Sequence, residues 1–208
     1  MKKLIEIFLT GNHEQGWLSR IFGGSTLYSD FIDDFSYAQD RADRKKYVYD
    51  YVQVPCDTIS SPVPHGGLSN ALLQWNSMPH NDADILKIRI NSHGNSATKG
   101  FFMGKDFVDV KLMCSWLRAH GLKHDATDSW KLVICIFTCY GADTAYSMGS
   151  TLNRIGLSNF TTTGGTTSLL MGPEGQVVSD RKIRLLSKKL EWKEEQDGET
   201  AKKSYYFP

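Results

Sequence analysis

Apolar residues in this 208-residue chain gather in short runs that stop abruptly. Two of them set the frame. Ile85–Asn91 leads into Ser92, His93 and Gly94, and Lys131–Phe137 leads into Thr138, Cys139, Tyr140 and Gly141. Both runs have strand length and β-branched content, and both end at small or polar residues, as a buried strand does at the rim of a sheet. Between them, Val110, Met113, Trp116 and Leu117 recur at helical spacing. Asp106 and Asp109 at the start, Arg118 and His120 near the end and Gly121 as the stop predict one helix over Asp106–His120. Strand, helix and strand make a right-handed βαβ unit, with parallel strands whose C-terminal ends share one edge. That edge is where open parallel sheets bind ligands.

The same reading extends to the rest of the chain. Met1–Leu9 is a first strand, Gly11–Asp34 irregular, Ser36–Lys46 helical and Tyr47–Val54 a strand ended by Pro55. Cys56–Gly67 reads as a loop and Ser69–Trp75 as a short helix. Ala142–Ile155 is a helix closed by Gly156, and Ser158–Thr163 is a strand followed by Gly164 and Gly165. Thr166–Met171 and Gln176–Ser179 flank a Gly-Pro-Glu-Gly turn and predict a hairpin. Asp180–Glu195 is a basic helix candidate, and Gln196–Pro208 a tail mixing charge with aromatics.

Composition narrows the class. With 40% hydrophobic and 23% charged residues the chain is neither a disordered nor a membrane protein, and its length suits one domain across 1–208. Within it, 1–84 supplies the first strands and covering segments, 85–165 the chemical core, and 166–208 a flap and basic region. A net charge of +1 argues against general affinity for nucleic acid or anionic membrane. The amino terminus starts like a signal peptide, but its apolar run is short, contains Glu6 and lacks a small-residue cleavage site. No window is long and apolar enough to span a bilayer. The four cysteines, at 56, 114, 135 and 139, form no metal-ligand spacing and fit a reducing cytosol. A protein exported unfolded without a cleavable signal would have the same pattern.

The chemistry sits at the strand ends. A thiolate attacks carbonyls, and an imidazole nearby can raise the thiolate fraction and later protonate the leaving amine. Cys139 is the candidate nucleophile, His93 the candidate acid/base, and the amides of Gly94 and Cys139 a candidate oxyanion hole. A helix starting just behind Cys139 would lower its pKa. Cys135, inside its run, reads as an inert core thiol. A second His-Gly, His65-Gly66, follows Pro-Val-Pro and reads as a surface loop, and Gly23-Gly24 lacks the Lys of a phosphate loop. Lys87 and Arg89 alternate with Leu86, Ile88 and Ile90. One face of the His strand is therefore either open to solvent or packed against an anion.

An apolar strand ending in His-Gly, then a helix, then an apolar strand ending in Cys with a helix behind it, resembles the caspase-like (clan CD) cysteine peptidases. Within that clan it is most similar to the inositol hexakisphosphate-activated protease domains of repeats-in-toxin and large clostridial toxins and to related secreted bacterial effectors. The resemblance covers about Ile85–Lys193. It implies an α/β, caspase-like three-layer sandwich with a mostly parallel central sheet and a C-terminal β-hairpin flap. It implies a cysteine endopeptidase with a Cys139/His93 dyad, protein or peptide substrates including host proteins, and release into a host cytosol. Asn91, Ser92 and Thr161, Thr162, Thr163 and Gly164 would line the substrate groove. Lys87, Arg89, Arg181, Lys182, Arg184, Lys188 and Lys189 become candidates for the inositol phosphate, and no metal is implied. Asp33, Asp34, Asp82 and Asp84 remain open as a third catalytic carboxylate, which a dyad would not need. The alternative is a caspase-like scaffold that has lost catalysis and serves as a binding module.

Overall fold

Period-two runs pair into one sheet when each presents an apolar face, and five of the predicted runs do so here. The computed structural model describes residues 2–10, 33–55, 66–92, 99–103, 106–138, 140–166, 169–171, 177–179 and 202–208. In chain order the elements are β1 (Lys2–Thr10), α1 (Asp33–Arg44), β2 (Tyr47–Pro55), α2 (Gly66–Ser77), β3 (Ile85–Asn91), β4 (Gly100–Met103) and β5 (Asp106–Asp109). There follow α3 (Val110–Ala119), β6 (Lys131–Phe137), α4 (Gly141–Arg154), β7 (Phe160–Gly165), β8 (Leu169–Met171), β9 (Val177–Ser179) and β10 (Lys202–Phe207). The main sheet has the order β10-β7-β6-β3-β1-β2. All its pairings are parallel except β10 on β7. The fold class is therefore α/β with a mostly parallel central sheet.

Strand order decides which helices share a face. The connections through α2, α3 and α4 all step in one direction across the sheet, and that through α1 steps in the other. Right-handed crossovers then put α2, α3 and α4 on one face and α1 on the opposite one. Accordingly Ile7, Leu9, Leu86, Ile88, Ile90, Leu132, Ile134, Ile136 and Phe160 form one buried cluster with Leu72 and Trp75 of α2, Met113 and Leu117 of α3, and Ala145 and Met148 of α4. A buried aliphatic side chain contributes about 1.5–3 kcal/mol, so this layer is the main source of stability.

Three expectations change. The helix expected over Asp106–His120 starts only at Val110. Asp106–Asp109 instead pairs antiparallel with Gly100–Met103, with Phe102 and Phe107 packed edge to face at 5.3 Å. Asp109 caps α3, its carboxylate accepting from the Leu112 amide at 2.8 Å. The expected stop holds: the Gly121 and Leu122 amides donate to the Arg118 and Leu117 carbonyls, with Gly121 at φ +100°. The tail, read only as a mix of charge and aromatics, carries a strand: Lys202–Phe207 joins β7, and Phe207 stacks on Phe160 at 5.2 Å. Finally, α2 begins at Gly66, inside the span read as loop.

The predicted hairpin is present as β8 and β9. No described helix is long and apolar enough to cross a membrane. The basic helix candidate Asp180–Glu195, the Gly23-Gly24 turn and His65 lie outside the described residues.

Candidate active site

The βαβ expectation is met in register. β3 and β6 are adjacent and parallel, with Ile85 opposite Lys131 and Asn91 opposite Phe137. The ladder runs one step past β3, where the Ser92 amide donates to the carbonyl of Phe137, the last residue of β6, at 3.2 Å. His93, Gly94 and Cys139 themselves lie outside the described residues. Their immediate predecessors, Ser92 and Thr138, stand on neighbouring strands at the same C-terminal margin.

The turn into α4 is tight. The Gly141 amide donates to the Thr138 carbonyl at 3.2 Å, and Tyr140, at the N-cap, has φ 55° and ψ 31°. A left-handed conformation costs a non-glycine residue on the order of 1–2 kcal/mol, and Tyr140 carries it with its side chain 43% exposed. Beneath the turn, Gly164 of β7 lies so close to Gly141 that a Cβ would run into the Gly141 carbonyl. Small residues on both sides let the start of α4 rest directly on the sheet. That places the helix's partial positive end beside Thr138, whose carbonyl the Gly141 amide meets.

The opposite face of the same strands is polar and nonetheless buried. Glu6 lies opposite Lys87 in the β1–β3 register and is ion-paired with it. Its carboxylate is also 3.5 Å from Arg89 Nε and accepts from the Tyr49 hydroxyl at 3.1 Å. The Arg89 guanidinium packs over the rings of Phe137 at 4.2 Å and Phe8 at 5.1 Å. Burial pushes the Glu6 carboxyl pKa up, but the Lys87 and Arg89 charges and the hydrogen bonds from Lys87 and Tyr49 outweigh it, leaving the pKa lowered. Of the two possibilities left by the Lys87/Arg89 alternation, the structure shows the anion: it is Glu6, from the chain's own first strand. Sequence reading missed it because strand pairing, not proximity along the chain, brings it there.

The remaining candidates divide. Thr162 is fully buried, and its hydroxyl donates to the Ala145 carbonyl at 2.9 Å, so Thr162 and Gly164 hold α4 to the sheet. Thr161 and Thr163 alternate with them and are half-buried. Ser92 and Asn91 are buried at the rim. Asp84 is at the other margin, where it accepts from the amides of Lys3 and Asn81 at 2.8 and 3.1 Å. Burial raises its pKa, but those two amides lower it further, for a net lowering. Seven residues of β3 at about 3.3 Å each separate Asp84 and neighbouring Asp82 from the rim by roughly 20 Å, so neither is a third catalytic carboxylate. Asp33 and Asp34 open α1.

Cys114 and Cys135 are buried free thiols, and burial together with Asp109 pushes Cys114 up to about 12. Both differ from what a nucleophile requires. Arg181, Lys182, Arg184, Lys188 and Lys189 lie outside the described residues. Among the described residues no three His, Cys, Asp or Glu side chains converge as metal ligands.

No protein-family model matches the sequence, and no curated protein matches it. Among solved structures, the chain is similar to a secreted C11 cysteine protease from Bacteroides thetaiotaomicron, iotapain, at 15% sequence identity and a TM-score of 0.45. The match covers 80% of this chain and 53% of that one, so the chain spans about half the length of that structure.

Proposed function

We propose that the chain is a cysteine endopeptidase in which Cys139 is the nucleophile and His93 the general acid/base. The observation that carries this reading is the rung between Ser92 and Phe137 at the shared end of β3 and β6. A peptide unit advances the chain by about 3.8 Å and neighbouring strands stand about 4.8 Å apart. His93 follows Ser92 directly and Cys139 comes two residues after Phe137, so this shared end supports the reading that both serve one substrate. The start of α4 and the tight Tyr140 turn favour a thiolate there.

In the reaction, His93 takes the Cys139 proton and the sulfur bonds to the scissile carbonyl carbon. The amides of Gly94 and Cys139 hold the resulting oxyanion. As the C–N bond breaks, the imidazolium returns its proton to the leaving amine. Water, deprotonated by His93, then releases the acyl group and the thiol. The substrates are peptides or proteins, host proteins among them. Activation by inositol hexakisphosphate rests on the resemblance alone and on Arg181, Lys182, Arg184, Lys188 and Lys189, since Lys87 and Arg89 already face Glu6.

Peptide-library cleavage by the purified chain, with and without inositol hexakisphosphate, is the test. Cys139→Ala abolishes cleavage and labelling by an electrophilic peptide, whereas Cys114→Ala keeps both. Full activity in Cys139→Ala would remove the nucleophile. A titration with inositol hexakisphosphate giving no heat and no rise in Tm would remove the activator alone.

A further inference from the structure

At the margin of the sheet opposite the candidate active site, the connection from α3 to β6 carries His124, which is only 2% exposed. Its ring spans two chain segments. Nδ1 lies 2.8 Å from the Ser158 carbonyl, just before β7, and Nε2 lies 3.1 Å from the Trp130 carbonyl, just before β6. The backbone adds another tie, since the Ser158 amide donates to the His124 carbonyl at 3.2 Å.

A carbonyl oxygen can only accept, and a neutral imidazole has one N–H and one bare nitrogen. Neutral His124 would therefore set a lone pair against one of the two oxygens, away from water. The doubly protonated ring donates to both, and a hydrogen bond from a charged donor is about twice as strong as a neutral one. A buried charge also needs partners. On its own loop the neighbouring carboxylate is Asp125, whose pKa is lowered chiefly by the Thr127 hydroxyl and amide and in smaller part by His124. Asp128 belongs to the same loop and accepts from the Asp125 amide at 2.9 Å. The turn from α4 to β7 meets the ring through Ser158, which is uncharged. From β6 the Trp130 ring packs against it edge to face at 4.2 Å. Beyond Trp130, at 5.6 Å from that ring, stands His80, whose Nδ1 is 3.8 Å from the Asp84 carboxylate.

We propose that His124 is a proton-operated clamp. As an imidazolium, its Nδ1–H donates to Ser158 and its Nε2–H to Trp130, holding the entries of β7 and β6 together. Loss of the Nε2 proton to solvent releases the Trp130 side. The clamp does not depend on the peptidase reading, because its atoms lie at the margin away from Ser92 and Thr138. Folding then takes up a proton. The stabilisation is complete below about pH 6.5, where histidines of an unfolded chain titrate, and is lost as pH rises and the folded ring gives up its proton.

Two measurements on the full chain decide it. In nitrogen-15 histidine spectra of the folded protein at about pH 7.5, the ring in contact with the Trp130 indole should carry protons on both nitrogens. A bare nitrogen on that ring overturns the proposal. In urea titrations the wild-type folding constant should fall roughly tenfold between about pH 6.5 and 8, relative to His124→Gln, which keeps a donor and cannot take up a proton. Any contribution from His80 is common to both proteins and cancels. Parallel pH profiles for the two proteins overturn the proposal as well, and should His124→Gln fail to fold, the wild-type spectra decide it by themselves.

Discussion

The two faces of the central sheet are built from the same strands and do different work. Under α2, α3 and α4 the sheet residues are mostly Ile, Leu and Phe, packed into one apolar cluster. On the other face, Phe8 and Phe137 enclose Arg89, beside Glu6, Lys87 and Asn91. The apolar face gains from burial directly. The polar face must first desolvate its charges, and such an arrangement often contributes no more than apolar residues of the same shape would. Stability therefore explains the first face and not the second, whose polar series ends at the candidate catalytic rim.

The largest test strikes that polar face. Glu6→Leu removes the carboxylate from Lys87 and Arg89 and should lower unfolding free energy by about 3–5 kcal/mol in urea titrations. A loss of under about 1 kcal/mol would erase the distinction between the faces. The pH dependence has a definite sign. The folded pKa of Glu6 lies below the ordinary 4.5 of a glutamate, so its contribution is complete above 4.5 and lost as pH falls through the folded value. Glu6→Leu should flatten that part of the acid unfolding curve.

Gly164→Ala acts at the junction of the two regions. The new methyl meets the Gly141 backbone, which cannot swing aside as a side chain can. The expected cost is about 1–3 kcal/mol, accompanied by slower alkylation of Cys139 as the start of α4 shifts. Smallest is Ile88→Val in the apolar layer, at about 0.5–1.5 kcal/mol, with the alkylation rate unchanged. If Ile88→Val altered the thiol as much as Gly164→Ala did, the rim would not be mechanically separate from the core.

What was legible along the chain was local. β3, β6 and β7 follow from alternation and β-branched residues, and α4 from its periodicity and closing glycine. The β4–β5 pair was not: Val108 and Val110 suit either period over so short a span, and only the facing Phe101 and Phe102 decide for strand. β10 was not read as a strand, because its lysines mix charge with the aromatics; pairing with β7 gives Tyr205 and Phe207 a surface to cover. At the site, the sequence named residue types, and the structure adds what the described ones touch. Thr162 looks like a groove residue by position, and its hydroxyl is spent on α4. Lys87 and Arg89 look like a polyanion site until Glu6 arrives from another strand.

Sequence alone determined the strand-helix-strand order, because period and turn chemistry are properties of neighbouring residues. Tertiary structure alone decided which strands lie side by side, that Glu6 answers Lys87 and Arg89, that Asp84 sits at the far margin, and that Asn91 is shut from water without a partner among the described residues. Those outcomes depend on register between segments dozens of residues apart, and register is settled by the collective burial of a whole sheet face rather than by any one run.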